Sequence, residues 1–161
     1  MNLLEFLGHF HPVLVHLPIG ILCLFVIIGL LVPVQNAQKS IDILRIMLLV
    51  SAAAATLSAA SGFLQGSSGE YDEQLLTRHQ ILGILVTIAN WGCYIKLNRL
   101  LTLKLSYRRM VFSIVGVLLI LTGHAGGSLT HGSDFLNPPP VADWFSVKFN
   151  CLQNHQYGFT G

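Results

Sequence analysis

The sequence predicts an all-α integral membrane protein, a four-helix bundle with both termini outside the cytoplasm. Three observations carry that prediction. Hydrophobic residues fill 53% of the 161 positions and charged residues only 10%, where a soluble domain carries about 25% charged residues. Mean hydropathy is +0.65. Four apolar runs each approach the ~20 residues that a spanning helix needs, and their continuity, without strict alternation, argues against a closed barrel.

The first run covers residues 12–34 and is broken only by His16 and Pro18. Pro12 suits a helix start, where its missing N–H matters least. Pro18 lies deeper, frees the carbonyl of Leu14 and bends the helix, which is expected to turn His16 inward. The run is too long for a secretory signal, and Glu5 stands where a basic n-region would be needed, so the helix is expected to be retained. The second run, 43–64, is rich in small residues. Ser51, Ala55 and Ala59 form one stripe, and Ala54, Ser58 and Gly62 another, as expected of closely packed membrane helices. The third run, 79–96, is interrupted by Asn90 and Trp91. The fourth covers 110–129. Residues 1–137 are thus read as one transmembrane domain, followed from Pro138 to Gly161 by a proline-initiated outer-side tail.

Basic residues set the orientation. Of the nine Lys and Arg, all but Arg78 and Lys148 fall in the first and third connections. The second connection carries Glu70, Asp72 and Glu73 instead. The positive-inside rule then places both termini and the second connection outside the cytoplasm.

On that map the histidines segregate. His9, His11 and His16 sit near the outer end of the first helix, and His79 opens the third. His124 and His131 lie near the outer end of the fourth, and His155 is in the tail. His9 and His16 share a seven-residue spacing with His124 and His131, which puts each pair on one helical face. Ionisable or ligating groups buried in a bilayer are costly, so this cluster is the main functional clue. Imidazole ligates haem iron, copper and zinc. Around His124 the chain reads Gly123-His124-Ala125-Gly126-Gly127-Ser128-Leu129-Thr130-His131-Gly132. Each helical glycine costs roughly 1 kcal/mol relative to alanine, so Gly123, Gly126 and Gly127 imply either a flat macrocycle or a closely packed neighbouring helix.

These motifs, together with Phe10-His11-Pro12, His16-Leu17-Pro18-Ile19-Gly20 and Arg78-His79, resemble a bacterial membrane family known as domain of unknown function 2231. The branch concerned precedes planctomycete-type cytochrome c domains. The resemblance spans roughly residues 9–140, and by position His11, His16, His79, His124 and His131 match the histidines of that family. It implies a redox setting in a bacterial cytoplasmic (inner) membrane, with the termini and a haem-bearing partner on the periplasmic side. The tail departs from that branch. Residues 141–161 are too few for a cytochrome c domain, and Cys151-Leu152-Gln153-Asn154-His155 lacks the second cysteine of a covalent haem site.

Other classes find little support. There is no phosphate loop or dinucleotide fingerprint. Acidic residues within the spans are absent, against an ion-coupled transporter. Ser133 and Asp134 beside His131 lack the context of a hydrolytic triad, and a net charge of +2 points to no nucleic-acid partner. Two readings remain, an electron-transfer or anchoring subunit being favoured over an enzyme. The first is a redox subunit binding one haem b near the outer face. His16, His79 and His124 are its candidate iron or metal ligands, His11 and His131 supply supporting contacts, and a cytochrome c or another redox protein is the outer-side partner. The second is a membrane anchor whose histidines hydrogen-bond across helices. A compact copper or zinc site is a further alternative.

Overall fold

The computed structural model describes residues 3–31, 38–68 and 71–132. These residues form helices and no strand: α1 (Leu3–Gly8), α2 (His11–Leu14), α3 (His16–Leu31), α4 (Gln38–Ser68), α5 (Glu73–Ile95), α6 (Leu97–Thr102) and α7 (Leu105–His131). The tail, with Cys151 and His155, lies outside the described residues, as does the predicted boundary at Pro138.

Three stretches are long and apolar enough to cross a membrane: Leu3–Leu31, Gln38–Ser67 and Leu105–His131. At ~1.5 Å per residue, the 31 residues of α4 and 27 of α7 outreach a hydrocarbon core of ~30 Å. The 23-residue α5 is long enough but more polar, with Arg78, His79 and Gln80 towards its start and Asn90 towards its end. It also begins earlier than expected, because Asp72 caps it by accepting a 2.8 Å hydrogen bond from the Leu75 N–H. His79 is therefore inside the helix rather than at its opening.

The first stretch is segmented rather than continuous. Breaks fall at His9–Phe10 and at Val15. The second follows from Pro18: with no N–H there, the Leu14 carbonyl loses its partner, and the ladder resumes with Ile19 N–H on Val15 O at 3.2 Å. The expectation that His9 and His16 share one helical face fails for the same reason. Gly8 is buried, and a Cβ there would lie 2.8 Å from the Gln65 backbone nitrogen. Only glycine lets α1 approach α4 so closely.

α4 packs against α3 and α5, α7 packs against the same two helices, and α1 and α2 lean on α4. Between these helices Leu22, Phe25, Leu48 and Phe112 are at most 1% exposed, joined by Leu97 of α6. The rings of Phe25 and Phe112 meet edge-on at 5.0 Å, and Phe112 lies where a side chain on Gly29 would be. Ser51, Ala54, Ala55 and Ser58 of the predicted small-residue stripes are buried. Leu31, Ile43, Leu57, Ile88 and Ile120 point outward, as expected where the surroundings are lipid.

Several hydroxyls of the long helices are satisfied within their own helix, while Asn90 Oδ1 and Arg108 Nε are buried without a hydrogen-bond partner among the described residues. The hydroxyls of Thr56, Thr87 and Thr122 donate to the carbonyl four residues earlier, at 2.7–2.9 Å. Asn90 is fully buried and donates to Ser51 Oγ at 2.7 Å, while Ser51 donates to Pro18 O at 3.3 Å. This chain joins α5, α4 and α3. Arg45 donates to Asn98 Oδ1 at 2.9 Å, fastening α6 to α4.

Candidate functional site

The short helix α2 exists because Phe10 and Val15 interrupt the chain on either side of it. It turns His11 onto α4, where the imidazole Nδ1 donates to Ser58 O at 2.8 Å. Ser61 Oγ lies 3.5 Å from the same nitrogen. On α5, His79 Nδ1 donates to Thr122 O of α7 at 3.2 Å. A carbonyl oxygen can only accept, so in the neutral ring each Nδ1 carries the hydrogen and each Nε2 keeps its lone pair. Among the described residues neither Nε2 has a hydrogen-bond partner.

The two rings meet in a T-shaped, edge arrangement, centroids 6.2 Å apart and planes at 81°. A glycine supports each. A Cβ on Gly62 would lie 2.7 Å from His11 Cε1, and one on Gly126 would lie 2.9 Å from His79 Cε1. Both distances are shorter than real Cβ contacts, so α4 and α7 accept these rings only because the two positions lack side chains.

The pair lines a cavity of about 470 Å³ near the ends of α4 and α7. Its wall includes Gly123, Gly126 and Gly127, and its rim has His16, His131 and the Gln65–Tyr71 pair, in which Gln65 Nε2 donates to the Tyr71 hydroxyl at 3.1 Å. A smaller cavity of about 70 Å³ runs from the histidines towards Pro18 and Val86.

The predicted residues therefore separate into groups. His11, His16, His79, His131, Gly123, Gly126 and Gly127 all border the cavity. His16 is exposed, at the rim rather than turned inside. His131 ends α7, with its Nδ1 2.7 Å from Thr130 Oγ1. His124 is exposed and does not line the cavity, although it shares helix α7 with His131; His9 is likewise exposed and apart from it. Among the described residues no three His, Cys, Asp or Glu side chains converge on a point that could hold a metal ion. Cys23 and Cys93 are free thiols, the first exposed and the second buried.

Sequence reasoning overlooked Gly62, Ser58, Thr122, Gln65 and Tyr71. Gly62 was read only as part of a packing stripe. The available signal was its position one helical turn after Ser58 towards the C-terminal end of α4. The two carbonyls carried no signal, because every residue has one.

Comparison with protein-family models, curated proteins and solved structures gives no match for this chain.

Proposed function

We propose that this protein is a membrane redox subunit that holds one haem b between His11 and His79 near the outer membrane face. In this reading α5 is a fourth span, completing a four-helix bundle with the α1–α3 stretch, α4 and α7. Both termini face the periplasmic side of a bacterial inner membrane, on the basis of the basic inner connections. The observation that supports it most directly is the histidine pair.

An imidazole nitrogen lies ~2.0 Å from a metal it binds and about 1.1 Å from its own ring centre, so two imidazoles on opposite sides of one metal hold their centroids roughly 6 Å apart. The rings of His11 and His79 are 6.2 Å apart. Their Nδ1 groups are tied to carbonyls, the usual arrangement of a ligating histidine, which fixes ring orientation and leaves Nε2 as donor atom. The adjoining cavity of about 470 Å³ falls in the ~300–1,000 Å³ range of small-molecule and cofactor sites. The axial pair favoured by this geometry differs from the sequence expectation: His11 replaces His16 and His124 opposite His79. His16 and His131, which border the cavity, would be the candidates to hydrogen-bond the carboxylates of such a group. A set of only two facing imidazoles suits haem better than copper or zinc, which take three or four protein ligands.

When bound, haem supplies a one-electron couple whose potential depends on axial ligation, hydrogen bonding and burial. The chain's own residues would orient the ligands, wall the site with glycine and apolar surface, and exclude water. An outer-side cytochrome c or another redox protein would exchange the electron.

A second reading is favoured by the same hydrogen bonds. His11 ties α2 to α4 and His79 ties α5 to α7, as a non-catalytic anchor would require. A reduced-minus-oxidised visible spectrum of the detergent-purified protein, with a pyridine haemochrome assay, separates the two. A Soret shift and a sharp α-band that are lost in His11→Ala and in His79→Ala, and retained in His124→Ala, are expected. A featureless spectrum after expression with ample haem would leave the anchor reading.

A further inference from the structure

We propose that Gly62 and Gly126 are positioning residues, one for each histidine, and that together they keep the site closed to added ligands. The second half of this statement rests on the haem reading; the first does not. Each glycine faces the Cε1 edge of its ring, at built-Cβ distances of 2.7 and 2.9 Å. That edge lies between the two nitrogens, so the glycine backbone sets how far the ring can travel towards the helix. A side chain at either position pushes on the ring while the ring is held by its carbonyl, Ser58 O for His11 and Thr122 O for His79. The ring must then move across the cavity, and it leaves the facing geometry in doing so.

Among the described glycines only these two meet an imidazole: a Cβ on Gly8, Gly29 or Gly66 would crowd other groups, and one on Gly20, Gly83, Gly92 or Gly123 would meet nothing within 4 Å. The two seats are on different helices, α4 and α7, and each supports a ring that arrives from a third element, α2 or α5. Each glycine therefore acts on one histidine alone. Were a haem iron held by both imidazoles, His11 and His79 would supply its two protein ligands and leave no place for a small exogenous ligand. Displacing either ring opens one face.

Two measurements test this. The first uses the protein without cofactor, comparing melting temperatures for Gly62→Ala in the parent and in His11→Ala, and for Gly126→Ala in the parent and in His79→Ala. We expect each alanine to lower the melting temperature by a few degrees in the parent. In the background that lacks the ring it should be neutral or raise it, since alanine is the better helix former. Equal shifts in both backgrounds would overturn the positioning role. The second measurement adds haemin, reduces with dithionite and exposes the protein to carbon monoxide. The parent and the control Gly92→Ala should show no change in the Soret band, whereas Gly62→Ala and Gly126→Ala should each give the shift of a carbonyl complex. A parent that itself binds carbon monoxide, or alanine variants that stay silent, would overturn the closure. If the parent takes up no haem, the haem reading and the closure with it fail, and the melting comparison still decides the role of the glycines.

Discussion

The two ends of this molecule use one device for two purposes. Towards the end of α3 and the start of α7, Gly29 makes room for the Phe112 ring, and Phe112 stacks edge-on with Phe25 in a region where Leu22 and Leu48 are fully buried. Towards the ends of α4 and α7, Gly62 and Gly126 make room for His11 and His79, and beside those rings lies a cavity of about 470 Å³. In a membrane, helices associate chiefly by close packing, because lipid is as apolar as the side chains it would replace. A missing side chain therefore invites a ring from a neighbouring helix. An apolar ring ends the matter by filling the space. An imidazole must also satisfy a donor, and once Nδ1 has found a carbonyl, Nε2 keeps a lone pair on a residue that lines the cavity. Packing alone fills one end, while at the other the rings border a cavity, which is the basis of the proposed function.

Phe112→Ala should have the largest effect on stability. Removing a fully buried aromatic ring costs about 3–5 kcal/mol, to be read from thermal melting in detergent, and on the haem reading the spectrum of the histidine end should survive in whatever fraction folds. If the spectrum changed as much as the stability, the two ends would not be separable. On the haem reading His79→Ala should abolish the α-band, and on either reading it should lower stability by about 1 kcal/mol, the worth of one hydrogen bond; His11→Ala should do the same. Asn90→Ala removes the donor to Ser51 and is expected to cost ~0.6 kcal/mol, and less than about 2, as polar contacts between membrane helices do. Because Asn90 bridges three helices below the cavity, a larger loss with an altered spectrum would show that the ends are coupled. The smallest effect is expected for His124→Ala. An exposed histidine outside the cavity should leave the spectrum unchanged, and a lost α-band would restore His124 as a ligand in place of His11.

Much of the fold was legible in local pattern. Three of the four apolar runs correspond to helices long and apolar enough to span, and the fourth is the helix whose interruption by Asn90 and Trp91 could be read directly. Trp91 is accommodated by donating to Thr56 Oγ1 at 3.1 Å, and Asn90 by Ser51; neither partner could be chosen from the chain alone. The two short helices before His16, and α6 between α5 and α7, escaped notice because they are too brief to show a period. The small-residue face of α4 was visible from spacing, but not that one member of it, Gly62, carries an imidazole.

By itself the sequence determined the class of the protein, the order of its helices and the gathering of histidines towards one end. Hydropathy, proline and glycine act locally and can be read residue by residue. Tertiary structure alone decided which histidines meet. Three conditions had to coincide: the break at Val15 that rotates His11 onto α4, the Asp72 cap that carries His79 a turn and a half into α5, and the two glycines that admit the rings. Each depends on the relative rotation of helices that are distant in sequence. Seven-residue spacing along one helix says nothing of that rotation, which is why it could not show that His79 meets His11 and that His124 stays outside the cavity.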